Sequence, residues 1–199
     1  MPYHTLNLDG LHKYITQRKI LVPHEITYLK HKTIFLDLKF PTNKTFLDFF
    51  QIADINDCIT LTRKLDNLLE FIQNVVESDK SVVYLSEILA FDVFLFNTLQ
   101  KICEKNVIEC YTITNDEERE AHLLAYARYY YNSVTKENDS VIISPNNNFY
   151  IYSNINFIPL FGGADLGFRQ IEELVSYKRK WVYIAPVVTS WRSKLRNIG

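Results

Sequence analysis

Two kinds of hydrophobic pattern alternate along the chain and predict its secondary structure. Short apolar runs of strand-forming residues recur, as is typical of strands buried on both faces of a parallel sheet. The predicted strands are Thr33–Leu38, Ser81–Glu87, Val107–Ile113, Ser140–Ser144, Phe149–Tyr152, Asn156–Leu160 and Trp181–Ala185. The segments between them carry apolar residues at helical spacing, for example Leu61, Leu65, Leu68 and Ile72. The predicted helices are Leu6–Gln17, Ile59–Ser78, Phe91–Glu104, Thr114–Asn132 and Gly167–Lys180.

Strands that alternate with helices predict an α/β domain with a central, mostly parallel sheet flanked by helices. In such sheets, ligands bind beyond the carboxyl ends of the strands. The polar side chains expected at those ends are Asp37, Glu87, Glu118, Glu120, Asn146 and Asn148. A group of carboxylates is what Mg²⁺ or Mn²⁺ requires, and a pair of such ions can activate water for phosphodiester cleavage.

Each of these side chains also has a local explanation. Asp37 and Glu87 can cap turns at the ends of their strands, and acids such as Glu118 are favoured in a first helical turn by the helix dipole. Asparagines are common in turns. His122, one turn into the same helix, is more typical of a solvated or core position than of a catalytic base. The residue types alone therefore leave both interpretations open.

Composition narrows the class of protein. The chain has 199 residues, 47% of them hydrophobic, and a formal net charge of −1, so it can bury a full core and shows no overall basic excess. Three cysteines without metal-ligand spacing indicate neither a disulfide framework nor a zinc site. No apolar run is long enough to span a membrane, and the first ten residues lack a secretory signal. We expect no membrane partner and an intracellular location, in the cytoplasm or the nucleus.

Basic residues are concentrated near the C-terminus, where no acid occurs between Tyr177 and Gly199. The candidates for nucleic-acid or partner binding there are Lys178, Arg179, Lys180, Trp191, Arg192, Lys194 and Arg196. Such a segment can follow phosphates, dock on an acidic partner or remain a solvated surface. We expect residues 1–165 to form the α/β domain, and 166–199 to form a C-terminal helix and basic tail. The tyrosine-rich stretch 126–131 is typical either of an interface or of the packed side of a helix.

Several short motifs occur in an order that is found in one nuclease superfamily. The motifs are Gly10-Leu11, Phe35-Leu36-Asp37, Val82–Glu87, Glu118-Arg119-Glu120-Ala121, Ser144–Phe149, Tyr150–Tyr152 and Ile158-Pro159. Over residues 6–160 the chain thereby resembles the PIN-like nucleases, in particular the flap-endonuclease (XPG/FEN) and Asteroid-like branch. The resemblance implies a FEN-type three-layer fold. It also implies an Mg²⁺ or Mn²⁺ site formed by Asp37, Glu87, Glu118, Glu120, Asn146 and Asn148.

The sequence departs from this family in the parts that bind metal and substrate. Asn146 and Asn148 stand where the family has aspartates, so the loop has lost two negative charges and should bind a divalent cation weakly. The family's long basic arch is missing, because only about twenty mostly apolar residues separate Glu87 from Val107. The N-terminal Met-Gly is replaced by Met1-Pro2, and the glycine-rich DNA-binding motif is not evident.

Three hypotheses follow. The first is a catalytically inactive PIN-like module that binds a protein partner, with a nucleic acid as a further candidate, in a nucleic-acid-related complex. The second is an active Mg²⁺- or Mn²⁺-dependent nuclease, in which Asp37, Glu87, Glu118 and Glu120 hold the metal and the two asparagines bind it weakly or position the substrate. The third is a structural α/β subunit unrelated to nucleases, whose carboxylates only cap helices.

Overall fold

The computed structural model describes residues 22–37, 57, 59–60, 62–64, 66, 80–85, 93–105, 108–113, 115–159 and 181–184. The strands are β1 (Val22–Glu25), β2 (Thr33–Asp37), β3 (Lys80–Leu85), β4 (Glu109–Thr112), β5 (Tyr131–Asn132), β6 (Glu137–Asn138), β7 (Ser140–Ser144), β8 (Phe157–Pro159) and β9 (Trp181–Ile184). Two α-helices are described over their whole length, α1 (Val93–Lys105) and α2 (Asp116–Arg128), and 3₁₀ helices occupy Ile26–Leu29 and Asn147–Ile151. The described residues 59–60, 62–64 and 66 are also helical and lie within the helix predicted for Ile59–Ser78. The predicted helices 6–17 and 167–180 lie outside the described residues.

Five strands form the central sheet in the order β4-β3-β2-β7-β8, and every pair in it is parallel. The chain moves from β2 outward through β3 to β4, and α2 and the β5–β6 hairpin then lead back to β7 on the other side of β2. This reversal places a topological switch point between β2 and β7, where ligands bind in open parallel sheets. Leu36 is in register with Ile143, so Asp37 and Ser144 end their strands side by side.

The core lies on the face of the sheet that packs against α2. Phe35, Val82 and Ile142 are in register at the centre of the sheet and are fully buried. On the helix, Leu123 and Ala127 are buried four residues apart, as expected for one side of an α-helix. Arg119, four residues earlier, lies on the same buried side. The predicted parallel α/β architecture is therefore confirmed. The helical spacing also places the guanidinium-bearing side chain of Arg119 on the side of α2 that faces the sheet.

The helix predicted for 114–132 ends earlier than expected. Asn115 caps its start, because the Asn115 Oδ1 accepts the backbone N–H of Glu118 at 3.0 Å. The helix ends at Arg128, and residues 131–132 instead pair antiparallel with 137–138 in a hairpin. The Asn132 Oδ1 accepts the N–H groups of Val134 and Thr135 and so stabilises the turn. These contacts offer the backbone an alternative to another helical turn.

The strand predicted for 149–152 is wrong. Residues Asn147–Ile151 form a 3₁₀ helix, which Asn146 opens by accepting the N–H of Asn148 at 3.0 Å on its side-chain oxygen. Phe149 and Tyr150 are both fully buried, whereas successive residues of a strand would point to opposite faces. Two consecutive aromatic residues therefore fill one core from a tight helical turn.

The remaining strands form small two-stranded elements. β1 pairs antiparallel with β9, with Glu25 opposite Trp181 and Val22 opposite Ile184. This pairing connects a strand near the start of the described chain to the strand predicted at 181–185. Within the described residues, no helix combines the length and apolar character needed to span a bilayer.

Candidate functional site

Asp37 ends β2 at the switch point and is almost completely buried, with 1% of its surface exposed. The hydroxyl of Ser144, at the end of the neighbouring strand β7, donates to the Asp37 Oδ2 at 2.7 Å. The same hydroxyl oxygen accepts the backbone N–H of Asn146 at 2.9 Å. Ser144 therefore links the buried carboxylate to the first residue of the asparagine-rich loop.

Arg119 approaches this carboxylate from the first turns of α2. Its Nε lies 3.4 Å from the Asp37 Oδ1, and its Nη1 lies 3.3 Å from the Asp116 Oδ1. The Nε is close enough for an ion pair but is not aligned for a hydrogen bond. Burial lowers the pKa of Arg119, while the charges of Asp37 and Glu120 raise it. Because an arginine keeps its proton even so, a full positive charge lies beside Asp37 in the core.

Glu120, the next residue, faces the asparagine-rich loop. Its Oε2 accepts the side-chain amides of Asn146 at 2.9 Å and Asn148 at 3.2 Å. Its Oε1 accepts the hydroxyl of Tyr152. Because the oxygen of Asn146 is engaged by the N–H of Asn148, the NH₂ group of Asn146 must face the carboxylate. Burial and the Glu120 carboxylate raise the pKa of Tyr152 to about 12, so its hydroxyl stays protonated and donates.

The predicted site residues thus differ in where the structure places them. Hydrogen bonds and the ion pair of Arg119 connect Asp37, Glu120, Asn146 and Asn148 in one network. Glu118 is exposed on α2 outside that network. Glu87 lies outside the described residues. The seven basic and aromatic candidates Lys178, Arg179, Lys180, Trp191, Arg192, Lys194 and Arg196 lie outside them as well.

A second polar cluster lies where α2 crosses β3 and β4. The hydroxyl of Tyr84 is 2.9 Å from the Nδ1 of His122, whose ring packs near that of Tyr111. Lys80 makes an ion pair with Glu109 at 2.7 Å and donates to the hydroxyl of Tyr126 at 3.0 Å. His122 therefore occupies a packed position among tyrosines, as one of the interpretations from sequence predicts.

The fold has a counterpart among solved structures. It is similar to the catalytic core of Rad2, solved in complex with a DNA substrate, with a TM-score of 0.50 and 14% sequence identity. The domain has a PIN-like, FEN-type nuclease fold. The similarity covers 89% of this chain and 53% of the Rad2 chain, so the chain spans about half the length of that core. No family model and no curated protein matches the sequence.

A FEN-type fold implies a divalent-cation site at this edge of the sheet, and the described residues do not fit one. Among the residues the structure describes, no group of three or more His, Cys, Asp or Glu side chains is arranged as metal ligands. The oxygens of Glu120 face two amide groups and a hydroxyl, and Asp37 has a guanidinium beside it. A second cation next to this guanidinium would be repelled, because like charges interact strongly away from water.

Sequence reasoning missed the contacts of Arg119, Ser144 and Tyr152 in this network. Arg119 stands where the nuclease motif has a small residue between two acids, and it precedes Leu123 and Ala127 by four and eight residues. That spacing places a charged residue on the buried side of a helix and is a usable signal. Tyr152 had no comparable signal, because its contact depends on the 3₁₀ helix that the sequence did not predict.

Proposed function

We propose that this FEN-type domain does not hydrolyse phosphodiesters and acts as a binding module, with a protein partner and a nucleic acid as the two candidate ligands. The observation that carries the proposal is the guanidinium of Arg119, buried 3.4 Å from the carboxylate of Asp37. Hydrolysis in this fold class depends on hard cations that bind carboxylates, polarise the phosphate and activate water. A fixed positive side chain holds the carboxylate without supplying a water molecule to activate.

The asparagine-rich loop supports the same conclusion independently. Neutral amides at Asn146 and Asn148 contribute no charge to a cation, and both direct their NH₂ groups at Glu120. A divalent cation would have to displace these donors and the hydroxyl of Tyr152 from the carboxylate. Because Mg²⁺ binding depends on the number of charged oxygen ligands that are available, the loop lowers the affinity of the site.

The binding role is supported by apolar surface at the far end of α2. Tyr129 is 82% exposed and Val134, in the β5–β6 turn, is 88% exposed. The neighbouring tyrosines at 126 and 130 pack against the core, so the tyrosine-rich stretch divides into a packed part and an exposed part. Exposed tyrosines are frequent anchors at protein interfaces and can also stack on unpaired bases.

Cleavage assays test the loss of catalysis. The intact chain is incubated with a flap DNA and with a single-stranded RNA in excess Mg²⁺ and then in excess Mn²⁺. We expect no cleavage above that of the Asp37→Asn variant, because both proteins lack a divalent cation at the switch point. Cleavage by the wild type that requires metal and disappears in Asp37→Asn, but persists in the control Asp139→Asn, which changes an exposed aspartate before β7, would support the active-nuclease hypothesis instead.

Binding without metal tests the second half of the proposal. Fluorescence anisotropy of the same RNA and DNA in EDTA reports binding that does not depend on a cation. We expect any such binding to weaken in Tyr129→Ser, and to remain in Thr112→Ala, which alters an exposed residue of the edge strand β4. The absence of binding in wild type would exclude nucleic acid as the ligand and leave a protein partner as the candidate.

A further inference from the structure

The charges around Arg119 indicate a role for this side chain that rests on the proposed function. The guanidinium lies 3.4 Å from Asp37 and 3.3 Å from Asp116, and Glu120 is close enough to raise its pKa. Carboxylates from the end of β2 and from the first two turns of α2 therefore converge on one positive group. Buried charges in proteins are either paired with an opposite side-chain charge or bound to a metal ion.

The burial of these groups makes the positive charge necessary. Asp37 is 1% exposed and Arg119 is 3% exposed, so neither charge is compensated by bulk water. An isolated buried carboxylate is strongly destabilising, and removing one partner of a buried ion pair is more harmful than removing both. An ionised aspartate at this position is therefore strongly stabilised by a nearby cation, either a bound ion or a basic side chain.

We propose that Arg119 is a resident counter-ion, which replaces a bound divalent cation in stabilising the carboxyl end of the sheet. Because Arg119 lies on the buried side of α2, packing of this helix against the sheet places the positive charge beside Asp37. The wild-type domain is then stable without metal. Loss of the arginine charge leaves the buried carboxylate of Asp37 without its counter-ion, beside Asp116 and Glu120 of α2, and makes stability depend on a divalent cation.

Thermal unfolding of the intact chain in EDTA and in excess Mn²⁺ tests this dependence, with Mn²⁺ binding measured by electron paramagnetic resonance. Wild type should unfold at the same temperature in both buffers and bind no Mn²⁺ at this site. Arg119→Met should unfold roughly 10 °C lower in EDTA. Mn²⁺ should restore much of that loss and bind with one-to-one stoichiometry. Arg119→Lys, which keeps the charge, should remain independent of metal.

Two further variants keep the result interpretable. Arg128→Met, which changes an exposed arginine on the same helix, should behave like wild type in both buffers. Asp37→Asn/Arg119→Met removes both charges, and it should be more stable than Arg119→Met in EDTA and should not respond to Mn²⁺. If Arg119→Met folds only with Mn²⁺, the proposal is supported in its strongest form. If it folds in neither buffer while the double variant folds, the cation does not substitute for arginine and the proposal fails.

These outcomes are separable from a failure of the proposed function. Metal-dependent cleavage by the wild type would contradict the loss of catalysis, whatever the stability of Arg119→Met. Stoichiometric Mn²⁺ binding with a higher unfolding temperature in the wild type would contradict the counter-ion role, even without cleavage. An Arg119→Met variant as stable as wild type in EDTA would overturn this inference and leave the proposed binding module standing.

Discussion

At the N-terminal end of α2 the buried polar groups include an ion pair, whereas at its C-terminal end they are neutral amides and a hydroxyl. The charged end joins Asp37 and Arg119, and the neutral end joins Asn138, Ser140 and Asn156, all of which are buried. The neutral groups bond mainly to backbone carbonyls of the helix end and of the neighbouring chain segments. The charged groups balance each other across 3.4 Å. The neutral end thus satisfies backbone groups of the fold, while the charged end lies at the switch point of the sheet, where ligands bind in open parallel sheets.

Among single substitutions outside the ion pair, the largest loss of stability is expected at the neutral end. The Asn138 Nδ2 donates to the carbonyls of Ala127 and Asn154 at 3.0 and 2.9 Å, and its Oδ1 accepts from Ser140 at 2.8 Å. Asn138→Ala removes these three hydrogen bonds from the buried end of α2 and should lower the free energy of unfolding by roughly 3 kcal/mol. Urea denaturation measures it. Asn97→Ala, on an exposed position of α1, should change stability little.

The comparison would be weakened if Asn138→Ala were nearly neutral, because the amide network would then not determine where α2 ends. It would be sharpened if the loss were the same in low and high salt. A network of neutral groups should be insensitive to ionic strength, since screening acts on charges.

A smaller effect is expected from Ser144→Ala at the charged end. The substitution removes the donor to the Asp37 Oδ2 and the acceptor for the N–H of Asn146. Because the lost hydrogen bond goes to a charged group, stability should fall by about 2 kcal/mol. Ser133→Ala, in the exposed hairpin turn, is the matched control. A loss no greater than that of the control would mean that the Ser144 hydroxyl does not help to hold the carboxylate.

The sheet could be predicted from the sequence because its strands are apolar over nearly their whole length. β2, β3 and β7 are buried on both faces, and a short run of apolar residues is enough to predict a strand of this kind. The end of α2 and the 3₁₀ helix at 147–151 could not be predicted in the same way. Both depend on side-chain oxygens of asparagine that bond to backbone groups, which compete with a regular helix or strand.

The site could be predicted in part for a related reason. Strand ends and helix starts fix the positions of Asp37 and Glu120, and periodicity locates such ends well. The partners of these side chains come from elsewhere in the chain: Ser144 lies 107 residues from Asp37, and Tyr152 lies 32 residues from Glu120. Contacts at such separation depend on the register of β2 with β7, which the apolar pattern alone does not specify.

The smallest effect is expected from a third, partly exposed ion pair, which separates the influence of distance from that of burial. Lys80 and Glu109 approach to 2.7 Å, closer than Arg119 and Asp37 at 3.4 Å, but their side chains are 40% and 35% exposed. Glu109→Gln should therefore cost no more than about 1 kcal/mol at neutral pH, because water screens the pair.

The hydrogen bond from Lys80, followed by that from Tyr111, lowers the pKa of Glu109 below its ordinary 4.5. A lowered pKa means that the contribution is complete above pH 4.5 and disappears as the pH falls through the lower value of the folded protein. Urea denaturation across this range should show wild type and Glu109→Gln converging at low pH, with Glu104→Gln as the control for loss of an exposed charge. A larger loss than that of Ser144→Ala would mean that distance, rather than burial, sets the strength of charged contacts in this domain.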